Sequence, residues 1–103
     1  MAHDRSHRHE ADRWRVEPGS RVRLDDIDTS STAGAPGDKD ATEAVCDDLV
    51  AKLGEWQTRL WAEGEQALLL VLQAMDEAGK DGTIRKVFTG VNPQGVRVAS
   101  FKA

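Results

Sequence analysis

From residue 40 onward the apolar positions follow a helical period, then an uninterrupted run, then a second helical period, then alternation. Val45, Leu49, Leu53, Trp56 and Leu60 recur at spacings of four, four, three and four, which lines them along one face of an α-helix. Asp40, with Glu43 three residues on, has the form of a capping box at its start, and Gly64 supplies the stop. Trp56 lies on the stripe, so inward packing is expected of it in preference to a nucleobase platform shared with Trp61. Residues 67–73 (ALLLVLQ) put five aliphatics together between polar flanks, the pattern of a strand buried on both faces. Ile84, Val87, Phe88 and Val91 then stand at i, i+3, i+4 and i+7, with Gly90 as the stop. After an Asn92-Pro93-Gln94-Gly95 turn, residues 96–101 (VRVASF) alternate as a second strand. The expectation is an α/β fold: a βαβ unit with a parallel strand pair, preceded by a long helix.

The first third of the chain lacks such order. Residues 1–13 are polar and aperiodic, and disorder is expected; His3, His7 and His9 lack the fixed geometry a metal site needs. Residues 14–24 alternate around a Pro18-Gly19 turn and predict an extended arm anchored by Trp14, Val16, Val22 and Leu24. Residues 25–38 are turn-forming throughout. Residues 1–37 therefore read as tail, arm and linker, and residues 38–103 as the domain.

Charge sharpens this division. Residues 1–24 carry six arginines against four acids, net +2; residues 25–65 carry net −8; residues 66–103 return to +2, within a total of −4 over 103 residues. An acidic chain is a poor candidate for a general nucleic-acid binder. No apolar run approaches the roughly 18 residues of a membrane helix, and no secretory signal opens the chain. The single cysteine, Cys46, excludes an internal disulfide and a cysteine-built zinc site. A cytoplasmic protein is expected.

The chemistry concentrates where the uninterrupted run meets the second helix. The phosphate-loop pattern G-x-x-x-x-G-K-[ST] aligns with Ala74-Met75-Asp76-Glu77-Ala78-Gly79-Lys80-Asp81, where Gly79 and Lys80 fit and Ala74 and Asp81 do not. Backbone N–H groups of Ala78, Gly79, Lys80 and Asp81 would converge at a helix N-terminus, whose dipole favours an anion. Gly79 would let backbone approach phosphate oxygens, and Lys80 adds a mobile positive charge. Asp81 stands where the pattern has a hydroxyl ligand for magnesium, and a carboxylate is likewise a hard oxygen ligand. Asp76 is a second acid in the turn. Two acids beside a phosphate imply Mg²⁺ or a similar ion between them. The competing assignment is that Asp76, Glu77 and Asp81 cap the helix and solvate the turn.

Residues 73–84 (QAMDEAGKDGTI), 90–95 (GVNPQG) and 100–103 (SFKA) resemble the polyphosphate kinase 2 family, P-loop kinases that use inorganic polyphosphate as phosphoryl donor or acceptor. Residues 57–63 (QTRLWAE) resemble the family's lead-in helix, and the likeness extends back to about residue 16. The resemblance implies a P-loop NTPase-like parallel sheet with helices, and phosphoryl transfer between polyphosphate and a nucleoside mono- or diphosphate such as AMP or ADP. By position, Asp76 and Lys80 would be catalytic, residues Ala78, Gly79, Lys80, Asp81, Gly82 and Thr83 would cradle phosphate, and Asp76 and Asp81 would meet the metal. Glu77 stands where the family commonly has alanine. A homo-oligomer is expected of a full-length member. The family's domain is more than twice as long, so the chain is expected to be an incomplete, truncated N-terminal portion of a kinase domain. The alternatives are a piece of an ATP-using P-loop kinase, and a phosphate-binding module without catalysis.

Overall fold

The computed structural model describes residues 11–75 and 77–101. The expectations placed on residues 1–10, with their three histidines, and on Asp76 lie outside the described residues. The chain divides into two units, Met1–Pro36 and Gly37–Ala103.

The described residues of the first unit form mostly local turns. Pro18 and Gly19 occupy the middle of a turn that Ser20 closes, its N–H (3.1 Å) and hydroxyl (2.6 Å) both donating to the Glu17 carbonyl. A 3-10 helix spans Leu24–Asp26. Asp28 then accepts from both the N–H (2.9 Å) and the hydroxyl (2.7 Å) of Ser30, an Asx turn of the kind that gives aspartate its turn preference. Those two bonds hold the Asp28 carboxyl below its ordinary value, because they favour the charged form. Trp14, Val16, Val22 and Leu24, the expected anchors of the arm, are all exposed.

In the second unit, α1 (Lys39–Glu63) is the long element and α2 (Lys80–Val87) the short one, followed by a 3-10 helix at Pro93–Gly95. The N-cap of α1 is Asp38, whose carboxylate accepts from Ala41 N–H at 2.9 Å. The cap therefore lies two residues before the Asp40–Glu43 box read from the sequence. Asp38 is extended at the end of the linker, the backbone state an N-cap needs, whereas Asp40 is already helical. At the other end Gly64, left-handed at φ 70°, donates to the Leu60 carbonyl, the αL cap that glycine adopts without a Cβ penalty.

The covered face of α1 is turned from the one the apolar stripe marks. Val45, Val50, Leu53, Gly54, Gln57 and Leu60 are partly covered, while Leu49 is exposed and Trp56 is 52% exposed. Inward packing of Trp56 is thus not observed; Arg59 instead lies over its ring at 5.0 Å, a cation–π arrangement. The face turned because the segment after α2 crosses α1 at Gly54 and Gln57. A Cβ at Gly54 would stand 2.7 Å from the Gly90 carbonyl oxygen, closer than real side chains come, so this crossing requires a glycine inside the helix.

The expected α/β sheet is not found. Among the described residues there is no strand and no ladder: residues 67–73 and 96–101 form no regular secondary structure. A strand is held by its neighbour's backbone groups, and two isolated strands rarely stand alone. Local β-propensity cannot supply that neighbour. The aliphatic run is left outside, Leu69 being 86% exposed, and none of the described residues is fully buried.

Candidate functional site

The two helix N-termini of the second unit are built differently. α1 is closed by its own carboxylate at Asp38, whereas α2 begins at Gly79, which has no side chain and makes no side-chain cap bond. The first-turn N–H groups of an α-helix lack intrahelical partners, and those of Lys80, Asp81 and Gly82 have no side-chain acceptor among the described residues. An anion is the natural complement to such an end. Gly79 reaches this geometry with φ 89°.

Two residues earlier Glu77 is also left-handed, at φ 64°. For a residue with a Cβ that conformation is uncommon and costs on the order of 1 kcal/mol. Between them Ala78 donates its N–H to the Met75 carbonyl at 3.2 Å. Of the four amides expected to form the cradle, Ala78's is therefore already engaged within the turn. Thr83 closes the first turn of α2, its N–H and its hydroxyl each donating to the Gly79 carbonyl at 3.0 Å.

The turn borders a cleft of about 160 Å³ lined by Leu72, Gln73, Ala74, Ala78, Gly79, Lys80 and Thr83. It is about half the lower bound of ordinary small-molecule pockets, roughly 300 Å³, and lies open to solvent. The cleft brings together four of the residues singled out from the sequence; Asp81 and Gly82 are not among those lining it. Asp81 sits in the exposed first turn of α2, where a carboxylate also complements the helix dipole. Among the described residues no group of three His, Cys, Asp or Glu side chains stands close enough to hold a metal ion.

The opposite end of α2 is tied to α1. Lys86 Nζ meets Asp47 Oδ1 at 2.7 Å; this hydrogen bond, then Asp47's charge, holds the Lys86 ammonium pKa above its ordinary value. Beyond Phe88 the chain reaches Asn92, whose side chain caps the following 3-10 helix by accepting from Gln94 N–H at 3.0 Å. The backbone of Asn92 is held from α1: Gln57 Nε2 donates to its carbonyl, and its N–H donates to Gln57 Oε1, both at 3.1 Å. Gly95 sits so close to α1 that a Cβ would land on Gln57 Nε2 and come within 3.1 Å of Trp61. Gln57, Gly54 and Gly95 were not among the candidate site residues, although Gln57 and Gly95 lie in blocks that carry the family resemblance. Only the glycine in mid-helix carried a physical signal, since glycine there costs about 1 kcal/mol and needs a packing reason.

The lead-in helix, the turn and the 90–95 segment all fall within one stretch that matches a known family. A family model described as polyphosphate kinase 2 matches residues 37–103. The chain belongs to the polyphosphate kinase 2 family. An AMP/ADP-polyphosphate phosphotransferase from Meiothermus ruber is 49% identical over 89 residues, 86% of this chain and 33% of the relative. An ADP-polyphosphate phosphotransferase from Rhodopseudomonas palustris is 55% identical over 53 residues, 52% of this chain and 18% of the relative. The chain thus spans about a third of the first relative's length and less of the second's. No solved structure matches it. Kinases of this family generally use a divalent metal ion. No helix among the described residues is long and apolar enough to cross a membrane.

Proposed function

We propose that the chain is the phosphate-holding part of a polyphosphate-dependent nucleotide kinase, which moves a phosphoryl group between inorganic polyphosphate and a nucleoside mono- or diphosphate. The observation that carries this is the family match over residues 37–103, coinciding with an uncapped helix N-terminus at Gly79 beside a small open cleft. The names of the two relatives support the substrates.

In this reading the N–H groups of Lys80, Asp81 and Gly82 receive phosphoryl oxygens, while Ala78 and Gly79 let the backbone approach them. Lys80 neutralises the charge that accumulates on the migrating group, in a reaction that depends on positioning and electrostatics more than on covalent chemistry. Thr83 holds the turn through its bond to Gly79 and forms part of the wall. Asp81 offers one hard oxygen to Mg²⁺; a single carboxylate is compatible with an ion that takes its other ligands from phosphates and water. Asp76 is assigned to the same ion and to catalysis by its position in the sequence. Bound there, the ion would shield these carboxylates from the phosphate. A homo-oligomer and a cytoplasmic location belong to the same reading.

The test is a transfer assay on the intact kinase that contains this phosphate-holding part, with polyphosphate, Mg²⁺ and either AMP or ADP, and with ATP as the rival donor to AMP. Polyphosphate is expected to be the preferred donor, and Lys80→Ala is expected to lower transfer by about 100-fold or more. Preference for ATP, or a Lys80→Ala variant as active as the parent, would contradict the assignment.

A further inference from the structure

We propose that Gln57 is a positioning residue for the turn at residues 78–83, acting through its clasp on the Asn92 backbone. The two partners lie 35 positions apart, and the side-chain amide satisfies both the donor and the acceptor of one peptide residue at 3.1 Å each. Both bonds are part-buried, so losing them leaves polar groups that water replaces poorly. Gly54 and Gly95 stand on either side of the clasp in sequence and neither has room for a Cβ against the facing segment. Such a fit admits one register of the 90–95 segment on α1. Among the described residues nothing comparable holds the start of α2, where Gly79 is uncapped and a Cβ would meet nothing within 4 Å.

The consequence for the turn is a matter of leverage. An eight-residue helix is about 12 Å long. Its C-terminal end is fixed to α1 by Lys86–Asp47, by the Gly54–Gly90 approach and, just beyond, by Gln57. A tilt of about 10° at that end would carry the first-turn amides roughly 2 Å, estimated from the helix rise. Hydrogen bonds to an anion hold only over about 2.7–3.2 Å. The Lys86 pair is exposed and weak. Of the two polar ties, the Gln57 clasp, part-buried and two-way, is thus the one that fixes the aim of the amides.

The experiment uses the ¹⁵N-labelled chain, its Gln57→Ala and Gln57→Leu variants, and sodium tripolyphosphate as probe. Without ligand, both variants are expected to move the amide signals of Gly79, Lys80, Asp81 and Gly82 as well as those of Asn92, Gln94 and Gly95. The far-UV helical signal should be retained. Tripolyphosphate binding should weaken about tenfold, as expected for loss of part-buried bonds. Movement confined to residues 90–95 would overturn the proposal, and so would loss of helix in both variants, since Gln57 would then be a folding residue. The binding arm rests on the phosphate assignment above, whereas the amide arm does not. A parent chain that ignores tripolyphosphate would refute that assignment and leave the amide signals to decide Gln57.

Discussion

At the scale of residues, the turn before α2 combines one left-handed glycine, which is free to adopt that state, with one left-handed glutamate, which is not. Glu77→Gly removes the strain and a negative charge beside the cleft. The expected outcome is a gain in local stability, read as slower amide hydrogen exchange across residues 77–83, and several-fold tighter tripolyphosphate binding. Unchanged stability would mean that Glu77 is held at no cost. Gly79 and Lys80 were legible in the sequence because the phosphate-loop pattern names them. The conformation of Glu77 was not, since a glutamate in a turn carries no mark of a positive φ. Nor was the Gln57–Asn92 clasp, because an amide bonded to distant backbone leaves no period along the chain.

Among elements, α1 was legible almost to its ends, because helical period, Gly64 and an aspartate at the start are all local signals. Which face it covers was not, because the crossing segment contacts a glycine and a glutamine instead of the apolar stripe. This makes Gly54→Ala a discriminating variant. Helix propensity alone would stabilise α1 by about 1 kcal/mol, but the new Cβ would stand 2.7 Å from the Gly90 carbonyl, a backbone atom that cannot rotate away. We expect the clash to dominate: a net loss of stability and displaced amide signals across residues 90–95. A more stable variant would refute the close approach. The second tie, Lys86–Asp47, is expected to respond to alkali. The lysine's pKa is raised in the folded state, so its contribution is fully present below the unfolded value near 10.5 and is lost as pH climbs through the higher folded value. In a pH titration of the folded chain, Lys86→Met should abolish the part of this alkaline loss that comes from the pair. The effect is small because both side chains are more than half exposed.

Over the whole molecule, the strands were misread for a reason of the same kind. The run at residues 67–73 has the composition of a doubly buried strand, but burial is conferred by neighbours, and the described residues offer none. Covering an aliphatic side chain is worth about 1.5–3 kcal/mol. Leu68, Leu69, Leu70, Val71 and Leu72 all exposed therefore forgo a sum comparable to the entire stability of an ordinary domain, about 5–15 kcal/mol. The chain is expected to unfold in urea over a broad, weakly cooperative range and to bind a hydrophobic dye such as ANS, with Leu69→Lys and Leu70→Lys reducing the dye signal. A sharp cooperative transition with no dye binding would show that this run is covered.

The central claim, that the turn opening α2 holds the phosphates of polyphosphate, is tested most directly by titrating the ¹⁵N-labelled chain with tripolyphosphate. Saturable shifts are expected at the amides of Gly79, Lys80, Asp81 and Gly82, and Lys80→Ala should weaken them strongly. Absence of shifts at those amides would contradict the claim, as would shifts gathered on the arginines of residues 13–23 and indifferent to Lys80.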